Sequence, residues 1–199
     1  MTDITSDSVS GRRATRSVAA AVPVEQAAAE AADRPSREEL VACAELLFFA
    51  YREFTAGPDA ILEEYGFGRA HHRVLHFVHR HPGLRVADLL DVLKITKQSL
   101  GRVLKQLIDK GYIAQRAGSV DRRERLLYPT VSGRALTKRL AAPQLVRLAE
   151  ALKAAGPGAD IIVRHFLQAM INAEERPKVS SIMSSSPAPA EGDGNPEAS

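Results

Sequence analysis

The sequence predicts a mainly α fold with one small β-hairpin, and three observations carry that expectation. Apolar residues recur at helical spacing through most of 36–173 and stop at Gly, Pro or Lys-Gly breaks. Only 112–116 and 125–128 alternate in the manner of strands, joined by the polar run AGSVDRRE. Positive charge gathers around that hairpin. Residues 68–140 hold 16 Lys and Arg against 5 Asp and Glu, a balance of +11 that leaves −8 for the rest of a chain whose net charge is +3. Such a bias suits a polyanionic partner if the charges share one surface; spread over solvated helix faces, they would mean nothing more than solubility.

Taken in order, residues 1–34 are rich in Ala, Ser, Thr and Arg without a sustained amphipathic stripe, and read as a disordered arm. Ser36 and Glu39 form the capping box of a first helix over about 37–55, with Gly57-Pro58 as its stop. Leu40, Ala44, Leu47, Phe48, Tyr51 and Phe54 make its apolar stripe, and Leu46 and Phe49 widen it beyond what a lone surface helix needs. A partner helix is therefore expected. The helix over 69–80 turns Val74, Leu75 and Val78 inward and ends at His81-Pro82-Gly83. A short helix over 86–93 turns Leu89, Leu90 and Leu93 inward. Thr96 caps the next, to about 110, with Leu100, Val103, Leu104, Leu107 and Ile108 facing in and Lys110-Gly111 as its stop.

After the hairpin, Thr130 opens a helical stretch to about 155, kinked or split at Pro143, and Gly156-Pro157-Gly158 breaks it. A last helix to about 173 carries Ile161, Ile162, Phe166, Leu167 and Met170. The Ser, Pro, Ala and Gly mixture over 177–199 reads as a disordered tail. One folded domain over 35–176 results: a winged helix-turn-helix at 67–140, with dimerisation helices at 37–66 and 141–175.

The functional reading follows from what faces outward. A short helix, a brief turn and a second helix have the helix-turn-helix spacing, in which the second helix enters the DNA major groove. With the inward stripe removed, that helix presents Thr96, Lys97, Gln98, Ser99, Arg102, Lys105 and Gln106. Arg and Gln pair with guanine and adenine edges, while Lys, Ser and Thr reach phosphates or bases. The hairpin tip adds Arg122, Arg123 and Arg125 around Asp121, a wing suited to a narrow minor groove, with Asp121 expected to orient a neighbouring guanidinium. A solvated helix or a salt-bridged turn would show the same residues; the two features in this order favour double-stranded DNA as the partner.

The stretch RVLHFVHRHPGLRVADLLDVLKITKQSLGRVLKQLIDKGYIAQRAGSVDRRERLLYPTVSGRAL resembles the MarR family of regulators. The resemblance is strongest over about 65–140, in LIDKGYI, in Asp121-Arg122-Arg123 and in Thr130-Val131-Ser132-Gly133, which is similar to the family's LTxxG. It implies a homodimer whose first and last helices interlock, paired recognition helices on palindromic DNA, and an affinity altered by small ligands or oxidation. Two positions depart from the family pattern: Gly101 stands where a threonine commonly precedes Arg102, and Pro129 replaces the usual Leu before Thr130.

Three switches come into question. Cys43, the single cysteine, lies on the first helix and is a redox candidate, but no cation flanks it, so the favoured reading is a small buried apolar residue. The histidines at 71, 72, 76, 79 and 81 include an i, i+4 pair, yet Arg69, Arg73 and Arg80 oppose a cation, so no metal and no cofactor is expected. A pocket for a small aromatic or anionic ligand could form from Phe48, Tyr51, Arg52, His72 and Leu75, the alternative being that these residues fill a dimer core.

No GxSxG, GxGxxG, P-loop or HExxH sequence supports an enzyme. The opening residues lack the order of a secretory signal and no apolar run suits a membrane span, so a cytoplasmic protein is expected. The rival from another class is a winged-helix protein-interaction module that does not read DNA.

Overall fold

A computed structural model describes residues 34–119 and 121–184 of the chain. The elements are α1 (Arg37–Glu64), α2 (Arg69–Arg80), β1 (Leu84–Arg85), α3 (Val86–Leu93), α4 (Lys97–Asp109), β2 (Ile113–Ala117), β3 (Arg125–Pro129), α5 (Val131–Ala155), α6 (Ala159–Ala169) and α7 (Arg176–Ser184). The chain divides into two compact units, Met1–Leu46 and Leu47–Ser199. Most of the arm expected over 1–34, and residues 185–199 of the expected tail, lie outside the described residues. Residues 177–184, read from composition as part of that tail, are instead helical in α7.

In the first unit, the capping box predicted for α1 is present. Ser36 N–H donates to Glu39 Oε2 at 2.7 Å, and Glu39 N–H donates to Ser36 Oγ at 3.2 Å. These bonds to the ionised form hold the Glu39 carboxyl below its ordinary range.

In the second unit α1 does not stop at Gly57-Pro58 but runs on to Glu64. Pro58 has no N–H for the Phe54 carbonyl four residues back, and Gln144 Nε2 on α5 donates to that carbonyl at 3.4 Å instead. Gly57 has its own reason: a Cβ there would lie 2.8 Å from Cβ of Pro143, so only a hydrogen lets α1 approach α5 this closely. Helix α5, expected to kink or split at Pro143, is one element across it. Arg139 of α5 then holds the end of α1, donating to both oxygens of Glu64 and to the Tyr65 hydroxyl.

The core is continuous from α1 to α5. Leu62, Val74, Leu75, Leu89, Leu107 and Leu140 are among its fully buried side chains, drawn from five helices, and β3 adds Leu127. Burying each such leucine contributes about 1.5–3 kcal/mol relative to leaving it in water. The three strands form an antiparallel sheet in the order β1-β3-β2. β1, too short to show a period in sequence, pairs Leu84 with Leu127 and Arg85 with Leu126. β2 pairs with β3 from Ile113↔Pro129 to Ala117↔Arg125, which makes the predicted hairpin.

One junction fixes the hairpin against the helices. Thr130 caps α5, its Oγ1 accepting from Gly133 N–H at 3.0 Å while donating to the Gly111 carbonyl at 2.7 Å. A Cβ on Gly133 would lie 2.0 Å from the Tyr112 carbonyl oxygen. The Thr-x-x-Gly spacing therefore brings the start of α5 against the end of α4 and the start of β2.

Candidate nucleic-acid interface

Helices α3 and α4 are joined by a three-residue turn in which Lys94 adopts a left-handed conformation, φ 51°. That conformation is costly for a residue with a Cβ, and here Lys94 Nζ is held by Asp91 and by Glu175, each at 3.0 Å. Arg73 of α2 donates to the Leu93 carbonyl at 3.1 Å, satisfying an orphan group at the end of α3. Thr96 Oγ1 accepts from Ser99 N–H at 3.1 Å and donates to Ser99 Oγ, so α4 begins where the sequence places its cap. At its other end Lys110 donates to the Tyr65 carbonyl at 2.6 Å and lies over the Phe67 ring.

Leu100, Val103, Leu104 and Leu107 of α4 are buried, which turns the opposite face to solvent. Thr96, Lys97, Gln98, Ser99, Arg102, Lys105 and Gln106 are all exposed there. They are not equally available. Lys105 is paired with Asp109 at 2.5 Å, and Gln106 Oε1 is 2.5 Å from Nε2 of His71 on α2. The side chains of Lys97, Gln98 and Arg102 form no hydrogen bond or ion pair among the described residues. Gly101 is also exposed, in open space, on the i, i+4 row between Lys97 and Lys105.

The hairpin tip differs from expectation in one detail. Asp121 was expected to orient a guanidinium; its Oδ1 instead accepts from the backbone N–H of Arg123 at 2.8 Å, an Asx turn that shapes the loop. The guanidinium work is done elsewhere. Arg85, at the end of β1, donates to Glu124 at 3.1 Å and to both oxygens of Asp88, which raises its pKa further. Arg85 thereby links the loop, β1 and α3, a role not visible in a sequence where Arg85 and Glu124 stand 39 positions apart. Arg122, Arg123 and Arg125 are exposed. A fourth wing cation, Arg116, lies over the Tyr128 ring at 5.0 Å.

The predicted ligand pocket is altered more. A cavity of about 460 Å³ lies between α1, α2 and α5 and is lined by Tyr51 and His72, as expected, together with Phe54, Asp59, Arg69 and Gln144. Phe48 and Arg52 are exposed and outside it, and Leu75 belongs to the core on the other side of α2. Phe48 and Arg52 lie on α1 and Leu75 on α2, and packing leaves the first two in solvent while it buries the third. Arg69, missed in the sequence, clasps Asp59 through three hydrogen bonds of 2.7–3.1 Å and lies over the Tyr51 ring. Burial pushes the His72 imidazole below its ordinary pKa against the pull of Asp59, and burial with neighbouring cations does the same to His76. Cys43, read as buried, is exposed in this chain. Among the described residues no group of three or more His, Cys, Asp or Glu is arranged to hold a metal, and no helix is long and apolar enough to cross a membrane.

A helix-turn-helix followed by a cationic β-hairpin on a three-stranded sheet defines the class: a winged helix-turn-helix protein. Residues 65–124 match the MarR family. The HTH-type transcriptional regulator PetP of Rhodobacter capsulatus is 50% identical over 135 residues, 68% of this chain and 81% of that one. The chain therefore belongs to the MarR family of transcription regulators. Solved structures share the fold at lower identity. A MarR-family regulator from Silicibacter pomeroyi has a TM-score of 0.56 at 20% identity, covering 64% of this chain and 86% of that one. A SlyA-like transcription regulator from Listeria monocytogenes has a TM-score of 0.53 at 17% identity, covering 78% and 98%.

Proposed function

We propose that this chain controls transcription by binding a two-fold operator as a homodimer, with α4 in the major groove and the β2–β3 wing at the adjacent minor groove. The observation that carries the reading is the outward face of α4, where Lys97, Gln98 and Arg102 stand exposed ahead of a tip bearing Arg122 and Arg123. Arg102 and Gln98 are the base-reading candidates; Thr96, Lys97, Ser99 and Lys105 serve phosphates, and the wing arginines add affinity. Gln106, tied to His71, keeps its amide donors for the same groove.

The dimer reading rests on apolar surface that one chain leaves uncovered. Phe48 on α1 is 74% exposed and Ile162 on α6 is 69% exposed, with Phe49, Phe166 and Leu167 also exposed. Apolar surface of this extent marks an interface in a water-soluble chain, and a two-fold dimer would set two α4 helices against two half-sites. The cavity at Tyr51, Arg69 and His72 is the proposed effector pocket, with the Arg69–Asp59 pair as its polar anchor. A ligand there alters DNA affinity by favouring one spacing of the two recognition helices.

Fluorescence anisotropy with the DNA upstream of the protein's own reading frame tests the proposal. Tight, strongly salt-dependent binding that resists random competitor supports it; binding no tighter than to random DNA rejects it in favour of an interaction module.

A further inference from the structure

A second cavity, of about 600 Å³, lies beneath α7, walled also by α2 and α5. It shares only His76 and Phe77 with the Tyr51 pocket. Phe77, Ala141, Ala142, Leu145, Ile182 and Met183 give it an apolar lining. Its polar lining carries positive charge or can acquire it: Arg80 and Lys138, with His76, His79 and His81. Among the described residues no carboxylate lines it. The size falls within the range of about 300–1,000 Å³ typical of small-molecule sites.

One residue of this lining, His79, carries an unsatisfied polar atom. Nδ1 of His79 is buried with no hydrogen-bond partner among the described residues, a state that costs free energy unless something else supplies the partner. The surroundings already repel a proton. Burial first, then Lys138, Arg134 and Arg80, hold His79 below its ordinary pKa, and burial with Arg80 does the same to His81. An anion would meet favourable potential here and would draw protons onto those rings.

We propose that this cavity binds an amphipathic carboxylate, its apolar body against Phe77, Leu145 and Met183 and its charge toward Lys138 and the histidine face of α2. Helix α7 serves as the cover. It is anchored beside the helix-turn-helix, because Lys178 pairs with Asp91 of α3 and Glu175 pairs with Lys94 in the turn. Occupancy under α7 therefore bears directly on α3. The site shares His76 and Phe77 with the effector pocket proposed above but does not require a ligand there.

Isothermal titration of the full chain with decanoate tests the proposal, repeated in buffers of different ionisation enthalpy and with decanol as the uncharged control. The expected result is saturable binding at one site per chain, proton uptake on binding, and much weaker binding of decanol. Lys138→Glu and the cavity-filling Ala142→Trp, both at exposed positions of α5, should each weaken decanoate by at least about tenfold. Circular dichroism establishes that each variant is folded, and either one suffices for the test. Equal affinity for decanol and decanoate, or no saturable binding, overturns the proposal. So does a loss of binding in Tyr51→Ala with none in Lys138→Glu and Ala142→Trp, which would place the ligand in the other cavity.

Discussion

Arg102 and Gln106 lie one turn apart on the exposed face of α4, yet only the second is held by another helix, through His71. Replacing Arg102 by Ala should weaken operator binding by about 1–3 kcal/mol and relax discrimination at one base pair, whereas Gln106→Ala should cost less. Anisotropy against a set of single-base operator variants distinguishes them; equal, sequence-independent losses would mean that Arg102 contacts phosphate only. Two glycines make a second contrast at this scale. A methyl group at Gly101 meets nothing within 4 Å, so Gly101→Ala should stabilise α4 by up to about 1 kcal/mol. Gly133→Ala places its methyl against the Tyr112 carbonyl and should destabilise by about 1–3 kcal/mol or more. Urea denaturation of both variants checks the signs. A Gly101→Ala protein that is more stable but binds operator poorly would show that the backbone there approaches DNA closely.

At the scale of elements, the wing is set by Arg85 as much as by its own turn. Its bonds to Asp88 and Glu124 join β1, α3 and the loop, while Asp121 shapes the tip locally. Arg85→Ala should leave global stability nearly unchanged, since exposed ion pairs contribute little, but should free the loop. Limited trypsin digestion reads this directly: cleavage after Arg122 and Arg123 should accelerate relative to other sites. An unchanged cleavage pattern would assign the loop's order to the Asx turn and the β2–β3 ladder alone.

The whole molecule offers two readouts. His72 and His76 both sit below the ordinary value of 6.5 in the folded chain, chiefly through burial. As pH falls past about 6.5 the unfolded chain takes up protons that the folded chain refuses, so stability declines there and levels off once the lowered folded values are passed. His79 and His81 act in the same direction. Urea midpoints measured from about pH 8 down to about pH 5 should fall; a flat profile would mean that these rings titrate alike in both states. The second readout is mass in solution. Ile162→Glu, on the exposed apolar face of α6, should convert a dimer to a monomer in light scattering and reduce operator affinity with it. A wild-type monomer would remove the two-fold operator from the proposal.

What the sequence determined by itself was local. The capping box at Ser36 and Glu39, the caps Thr96 and Thr130, the buried stripe of α4 and the alternation of the hairpin all involve residues within a few positions of one another. Short separations leave these signals readable without the fold. Tertiary structure decided the rest, because the deciding partner lies far along the chain. Gly57-Pro58 reads as a stop until Gln144, 90 positions beyond Phe54, takes up the Phe54 carbonyl that Pro58 leaves open. Gln106 reads as a free groove contact until His71, 35 positions away, reaches it. The ligand pocket was legible as a region but not as a residue set, since a helical stripe does not say which side chains a neighbouring helix covers, and so Leu75 went to the core while Arg69 joined the cavity. Composition placed 177–184 in a tail, and the ion pairs of Glu175 and Lys178 with the α3 region place them against the fold. A polar, small-residue segment buries too little to order itself, and it takes its structure from the charged and apolar surface it meets.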